Sequence, residues 1–293
     1  MNSPLFSILI PTWNNLPYLK LAVESIRKNS TYTHQIIVHA NEGNDGTLQW
    51  LEEESIEHTH SDTNIGVCLA MNSMRPLVRT DYIFYMNDDM VLLPGWDKAL
   101  WREIEKLPDH RFFLSSTMIQ PHNHLDVGIL ADYGDCVENF QEERLLKECE
   151  SLAKPNWNGA TWTPNLVHRD IWDLVGGFSI EYTPGMYSDP DFTAKLWFAG
   201  VRTMIGVGDS LAYHFETKTT GRITKNNGAA QFLMKWGIPN SLFRKKISKL
   251  GDTAPQGEAR KAHVSKADLF KSKLKAAWKA MTSKIGVDPK FWE

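Results

Sequence analysis

Tyr82-Ile83-Phe84-Tyr85-Met86-Asn87-Asp88-Asp89-Met90 is the stretch that decides how the chain folds. Five apolar or aromatic residues lead straight into two adjacent carboxylates, and Val91, Leu92 and Leu93 follow before the breaker Pro94-Gly95. A short unbroken apolar run is the pattern of a strand buried on both faces. Open α/β sheets bind ligands at the carboxyl ends of such strands, where Asp88 and Asp89 stand. Two neighbouring carboxylates repel unless a cation or hydrogen bonds hold them, and a hard divalent metal is the simplest stabiliser. An isolated Asp-Asp is more often a solvated turn, so the surrounding chain has to decide.

Upstream, Phe6–Ile10 reads as a strand stopped by Pro11-Thr12-Trp13-Asn14-Asn15. Leu16, Leu19, Val23 and Ile26 then recur at helical spacing, with Asn14 or Asn15 available as the N-cap. Ile36–Ala40 is a second strand, ending in the polar turn Asn41-Glu42-Gly43-Asn44-Asp45-Gly46-Thr47, and a helix follows through Leu48, Trp50 and Leu51. Asn64-Ile65-Gly66 opens a third helix, which carries Cys68 to Asn72. Strand, polar turn and helix in repetition imply a mostly parallel sheet with helices on both faces. The polar turns then share one sheet edge and line a cleft of nucleotide size.

These residues resemble the family 2 glycosyltransferases. Pro11-Thr12-Trp13-Asn14, Asn41-Glu42-Gly43 with Asp45-Gly46-Thr47, Asn64-Ile65-Gly66 with Asn72, and Asn87-Asp88-Asp89 look like that family's successive motifs. Asn158-Gly159, Val175-Gly176-Gly177-Phe178, Ser188-Asp189-Pro190-Asp191-Phe192 and Tyr213-His214 continue them in order, so the resemblance covers roughly residues 5–216. It implies the GT-A fold, a Rossmann-like nucleotide-binding half, and inverting transfer of a sugar from a nucleotide-diphosphate sugar to an acceptor hydroxyl. The expected setting is surface glycan or glycoconjugate synthesis, with a saccharide or a lipid-linked molecule as acceptor and no nucleic acid partner.

Residue by residue, the resemblance places Pro11, Thr12, Asn14, Asn41, Glu42, Asn64, Gly66, Asn72, Asn87 and Asp88 around the donor. The family more often has an Asp in the second turn, where this chain has Asn41-Glu42. Asn87-Asp88-Asp89 matches a DXD-type motif with Asn in first place, so Asp89 becomes the ligand for Mn²⁺ or Mg²⁺. His214 matches a position where many members supply a metal-binding His, and an imidazole suits Mn²⁺ better than Mg²⁺. Asp189 aligns with the base that accepts the acceptor's hydroxyl proton. The family's preceding Glu is replaced by Ser188, and an exchange of roles with Asp191 stays open. Asp191 also suits the cap of the helix running through Ala194, Leu196 and Trp197. Trp157, Gly159, Gly177 and Asp191 form the acceptor- or sugar-binding set, although Trp157 and Trp162 fit core packing equally well.

The 293-residue chain is 42% hydrophobic and 23% charged, the profile of an ordinary globular protein. Cys68, Cys136 and Cys149 are odd in number and lack metal-ligand spacing, which favours reduced thiols and a cytoplasmic setting. No secretory signal is visible at the start, and no apolar run approaches the ~20 residues of a membrane span. The net charge of −3 hides an asymmetry. Residues 225–293 hold 15 Lys and Arg against 5 Asp and Glu, leaving 17 against 30 for residues 1–224. The expected organisation is therefore a catalytic domain over 1–224 and a basic, mainly helical extension over 225–293. From Ala259 to Ile285 the extension reads as a basic amphipathic helix with Trp278. Such a helix can lie peripherally on the inner face of a membrane, dock on its own domain, or meet a partner. Residues 120–135, with His122, His124, Asp126 and Asp132, read as a surface loop, and Gly221–Gly228 as a polar segment beside the donor. Asn87 and Ser188 also admit a catalytically silent nucleotide-sugar or glycan-binding module. A nucleotidyltransferase usually carries a Gly-rich basic loop after its first strand, and Pro11–Asn15 contains neither Gly nor Lys.

Overall fold

The computed structural model describes residues 3–122, 127–216, 225–253 and 264–282. Strand β1 (Phe6–Trp13) leads to helix α1 (Leu16–Asn29), β2 (Gln35–Asn41) to α2 (Thr47–Glu53), and β3 (Glu57–Ser61) to α3 (Gly66–Met74). Then come β4 (Tyr82–Tyr85), β5 (Met90–Leu92), α4 (Trp96–Ile104) and the long β6 (Phe112–Gln120). After β7 (Ile129–Leu130) and α5 (Glu142–Glu148), β8 (Trp157–Asn158) and β9 (Asn165–His168) lead into α6 (Arg169–Val175) and α7 (Ser188–Phe198). The remainder is β10 (Thr203–His214), α8 (Gly228–Trp236), α9 (Asn240–Leu242) with a π-helical turn at Phe243–Ser248, and α10 (Lys266–Thr282).

All ten strands join one sheet, whose main order is β3-β2-β1-β4-β9-β6-β10-β5. The β3-β2-β1-β4 half is parallel, as strand–turn–helix repetition requires. β9 enters antiparallel between β4 and β6, and β5 lies antiparallel on β10. The architecture is therefore mixed α/β, mostly parallel in its first half.

Both faces of the sheet are covered, which explains the continuous apolar runs. Successive residues point to opposite faces, so Ile8 and Ile10 meet Leu19, Val23, Ile26, Trp96 and Leu100, while Leu9 meets Cys68, Met71 and Met74. Phe84 packs 4.6 Å, ring centre to ring centre, from Trp96, and both are fully buried. Burying each such side chain stabilises the fold by about 2–3 kcal/mol. Residues 217–224, where the expected domain boundary falls, lie outside the described set. Beyond it, Phe232, Ile238, Phe243 and Ile247 join the core that holds Ile171, Trp172, Phe192 and Leu196. Among the described residues no helix is long and apolar enough to cross a membrane.

Candidate active site

The carboxyl ends of β1, β2 and β4 open onto a cavity of about 410 Å³. β1 and β2 run in register to Trp13 opposite Asn41, and β4 lies on the other flank of β1. Met86–Asp89 therefore leaves the sheet beside Thr12, whose hydroxyl donates to Asp88 Oδ2 at 2.6 Å. Asn41 ties three turns: its Nδ2 donates to the Thr12 carbonyl, and its Oδ1 accepts from the Ile65 amide at 2.8 Å. Asn64 Oδ1 accepts from the Gly66 amide and shapes the start of α3. Gly66 has φ +75°, and a Cβ there would stand 2.7 Å from Pro184 Cα, so only glycine fits.

Pairing brings in the distant histidine. β5 lies on β10 with Met90 opposite His214, and the Phe215 amide donates to the Asp89 carbonyl. His214 Nε2 ends 3.3 Å from Asp89 Oδ1. On its far side Gln120 Nε2 contacts His214 Nδ1 at 3.1 Å and donates to Glu216 Oε1 at 2.9 Å. Burial alone would lower the His214 value, but the charge and hydrogen bond of Asp89 outweigh it and the net shift is upward. Asp88 is pushed up by burial and then by the adjacent Asp89 charge, with the Thr12 hydrogen bond only partly offsetting both.

The opposite wall is Pro184, Gly185, Met186, Ser188 and Asp189. The Val67 amide donates to the Pro184 carbonyl at 2.9 Å, which stitches this loop to α3. Asp189 is the second residue of α7. Its Oδ1 is buried without a hydrogen-bond partner, and burial raises its carboxyl from 3.8 to about 7. A carboxyl so placed is a proton acceptor near neutral pH.

The structure gathers Pro11, Thr12, Asn41, Asn64, Gly66, Asn87, Asp88, Asp89, Asp189 and His214 around one cavity. Asn14 and Glu42 stand beside it, bonded to each other at 2.9 Å between the first two turns. Five expected residues are not brought there. Asn72 clasps the Phe178 backbone, donating to its carbonyl and accepting from its amide. Gly177 fits against that amide, where a Cβ would lie 2.3 Å from Asn72 Oδ1. Trp157 is buried flat on Gly206 and donates to Thr117 Oγ1. Gly206 lies opposite Ser115 of β6 and Tyr213 opposite Ile119, so Trp157 is about 16 Å along the sheet from His214 even with the bulge in β10 after Val207. Gly159 packs on Leu250 beside it. Asp191 does not cap α7, which starts at Ser188. It is buried inside the helix and accepts from Ser179 Oγ, Lys235 Nζ and Trp236 Nε1.

Cavity residues missed by sequence reasoning include Tyr85, Met186 and Glu216. Tyr85 closes its own strand and donates its hydroxyl to Asn87 Oδ1. Glu216 stands two residues after His214, a spacing that was available as a signal. His122 Nδ1 lies 3.6 Å from Glu216 Oε2, while His124 and Asp126 fall outside the described residues, as do 221–224 of the polar Gly-containing segment.

The donor set fits a divalent cation. Two ligands about 2.1 Å from one ion, at right or tetrahedral angles, stand about 3.0–3.4 Å apart, and Asp89 Oδ1 and His214 Nε2 are 3.3 Å apart. Asp88, Asp89, Asp189 and Glu216 also make the wall acidic, which suits a cation.

Comparison with known proteins places this geometry. The solved structure of Staphylococcus aureus TarS residues 1–349 in complex with UDP superimposes with a TM-score of 0.60 at 11% identity, covering 98% of this chain and 77% of that one. A second solved structure of the same TarS fragment gives 0.57 at 13% identity and the same coverage. These likenesses establish a shared fold of the GT-A-like glycosyltransferase type. An uncharacterized protein y4gI of Sinorhizobium fredii is 22% identical over 249 residues, 78% of this chain and 26% of that one. An Escherichia coli K12 protein described as colanic acid biosynthesis glycosyl transferase WcaA is 24% identical over 127 residues, 40% of this chain and 44% of that one. The chain thus spans less than half the length of either curated relative. The family model for glycosyl transferase family 2 matches residues 7–166, more than half of the chain and every strand that builds the acidic side of the cavity except β10. With that match and the cavity at the strands' carboxyl ends, the chain belongs to glycosyl transferase family 2.

Proposed function

We propose that the protein is a metal-dependent inverting glycosyltransferase that uses a nucleotide-diphosphate sugar. The observation that carries this is the two-sided cavity, with Asp88, Asp89 and His214 on one wall and Asp189, whose Oδ1 is buried without a partner, on the other. The UDP named with TarS and the family match both support a nucleoside diphosphate donor. Thr12, Asn41 and Asn64 shape the nucleoside end of the cavity, Asn41 and Asn64 by holding the turns and Thr12 by steadying Asp88. Asp89 and His214 hold the cation, which when bound neutralises charge on the departing diphosphate. Asp189 accepts the proton of the acceptor hydroxyl as that oxygen bonds to the anomeric carbon. The bond from that carbon to the diphosphate oxygen breaks on the opposite face, and its electron pair leaves with the diphosphate. The acceptor is a saccharide or a lipid-linked molecule in surface glycan synthesis, a reading supported by the description of WcaA. A silent binding module would not require a carboxylate with one buried oxygen left unpaired, whose desolvation is a cost without catalysis to offset it.

Thermal shift with UDP, GDP and TDP, each with Mn²⁺ or with EDTA, tests the reading. A ligand that binds only the folded chain raises its melting temperature, by about 2.7 kcal/mol of stability at one hundred times Kd. One diphosphate with Mn²⁺ is expected to stabilise the wild type, and none with EDTA. Equal stabilisation with EDTA removes the metal from the proposal.

A further inference from the structure

Helix α10 is attached the wrong way round for a helix that only completes a core. It contacts α8 through Ser272, which is 4% exposed, with Ala276 half-buried on the same side. Phe270, Leu274, Trp278 and Met281 recur at spacings of four, four and three, so they form one stripe. At about 100° per residue this stripe points roughly away from Ser272. These four residues are 63, 57, 63 and 76% exposed. An amphipathic helix in a self-sufficient fold turns its apolar face inward, and this one turns it outward.

Charge identifies what covers the stripe. Lys266 and Lys273 flank it on one side, and Lys271 and Lys275 on the other, while Lys279 follows on the Ser272 side near the helix end, and all five are exposed. On the second flank Lys271 and Lys275 share a cleft of about 310 Å³ with Lys245, Ser241 and Ser272, and Asp268 is its acidic lining residue. A second copy of the helix laid on the first would set lysine against lysine. A bilayer of anionic lipid satisfies both parts: Phe270, Leu274 and Trp278 enter the acyl boundary while the lysines meet the headgroup phosphates. The helix has 17 residues with lysines throughout and does not meet the requirement for a span, so it lies in the interface plane. α8, which carries it, starts against Met186 and Tyr187 at the cavity wall, so the membrane contact is coupled to the site by one helix.

We propose that α10 is an interfacial helix that seats the enzyme on an anionic membrane surface through the Phe270, Leu274, Trp278 and Met281 stripe and its flanking lysines. This does not depend on the donor chemistry above. The test is flotation of the full chain with vesicles of phosphatidylcholine alone or with about one third phosphatidylglycerol. Wild type is expected to float with the anionic vesicles only. Leu274→Glu with Trp278→Glu should abolish flotation. Lys271→Gln with Lys275→Gln should weaken partition by about 25-fold, from about five-fold per lysine. Both variants should keep the wild-type melting temperature and nucleotide response, since none of the four residues lines the cavity. Failure of the wild type to float, flotation with neutral vesicles alike, or flotation unchanged in both variants overturns the proposal. So does a concentration-dependent dimer that the Leu274→Glu and Trp278→Glu pair dissolves in sedimentation.

Discussion

Replacing Asp189 with Asn is expected to make the protein more stable at alkaline pH while removing transfer. The carboxyl is raised from 3.8 to about 7, with burial as the leading cause. A group with a raised folded value binds its proton more tightly in the folded chain. Its favourable contribution is complete below the unfolded value and is lost as pH rises through about 7. Each tenfold change in proton affinity is worth about 1.4 kcal/mol, which gives an upper bound of about 4 kcal/mol for the ionised group at pH 8.5. Asp189 lines the cavity and is only half-buried, so about half of that, roughly 2 kcal/mol, is the realistic penalty. An amide of the same shape carries none of it. Urea denaturation in EDTA at pH 8.5 should show Asp189→Asn about 2 kcal/mol more stable, or melting about 4 °C higher. At pH 3.5, below the ordinary value of 3.8, the carboxyl is largely protonated in both the folded and the unfolded chain, and the two proteins should differ by less than about 0.5 kcal/mol. The remaining groups, Asp88 included, are common to both and cancel. The same ionisation sets the rate: wild-type transfer should rise about tenfold per pH unit below 7 and level off above 8. No gain at pH 8.5, or an equal gain at pH 3.5, refutes the burial argument. A stabilised Asp189→Asn variant that still transfers sugar at the wild-type rate refutes its role as the base.

Other residues separate site from scaffold. Asp89→Asn or His214→Ala should weaken the Mn²⁺-dependent nucleotide response by 10- to 100-fold, read by titrating Mn²⁺ against melting temperature; an unchanged titration removes that residue from the metal site. Asn72→Ala deletes two hydrogen bonds to the Phe178 backbone and strands its amide and carbonyl, about 2–4 kcal/mol. It should lower the melting temperature and leave the donor KM unchanged, whereas a raised KM at wild-type stability would return Asn72 to the cavity. Gly66→Ala puts a Cβ 2.7 Å from Pro184 Cα at φ +75°. It should cost about 1–3 kcal/mol and depress kcat well beyond that of an equally destabilised Asn72→Ala protein.

The first half of the fold was legible because sequence and space coincide there. β1, β2 and β4 each run directly into a polar turn, so Pro11–Thr12, Asn41 and Asn87–Asp89 are assigned by following the chain to the strand end. β3 was missed because Glu57–Ser61 is an edge strand with no apolar alternation to mark it. In the second half, side chains with two uses were misplaced. Asn72 offers an amide that recognises a backbone as readily as a nucleotide. Trp157 offers a face that packs on Gly206 as readily as on a sugar, and a glycine inside a strand was the available sign of that close approach. Asp191 was assigned as a helix cap because the start of α7 cannot be read past Pro190, and its tie to Lys235 and Trp236 is set by α8 from a different part of the chain.

What brings the two walls of the cavity together is a pair of close backbone approaches. The strand side delivers the Asp88 and Asp89 pair by the register of β1, β4 and β10. The Asp189 side is carried on the loop before α7, and it reaches the strand side through Val67, whose amide donates to Pro184. Gly66 meets Pro184, and Gly185 meets Val67, with a Cβ on Gly185 falling 2.7 Å from Val67 Cγ1. Two glycines that face each other's neighbours across one hydrogen bond leave little freedom in the width of the cleft. Acceptor and donor must meet within about 3–3.5 Å for in-line attack, so a shift of 1 Å there changes rate far more than stability. The separation between Asp189 and the Asp89–His214 pair is thus set by residues that carry no reactive group. For the same reason the sequence motifs pick out residues on each wall without identifying what holds the walls in register.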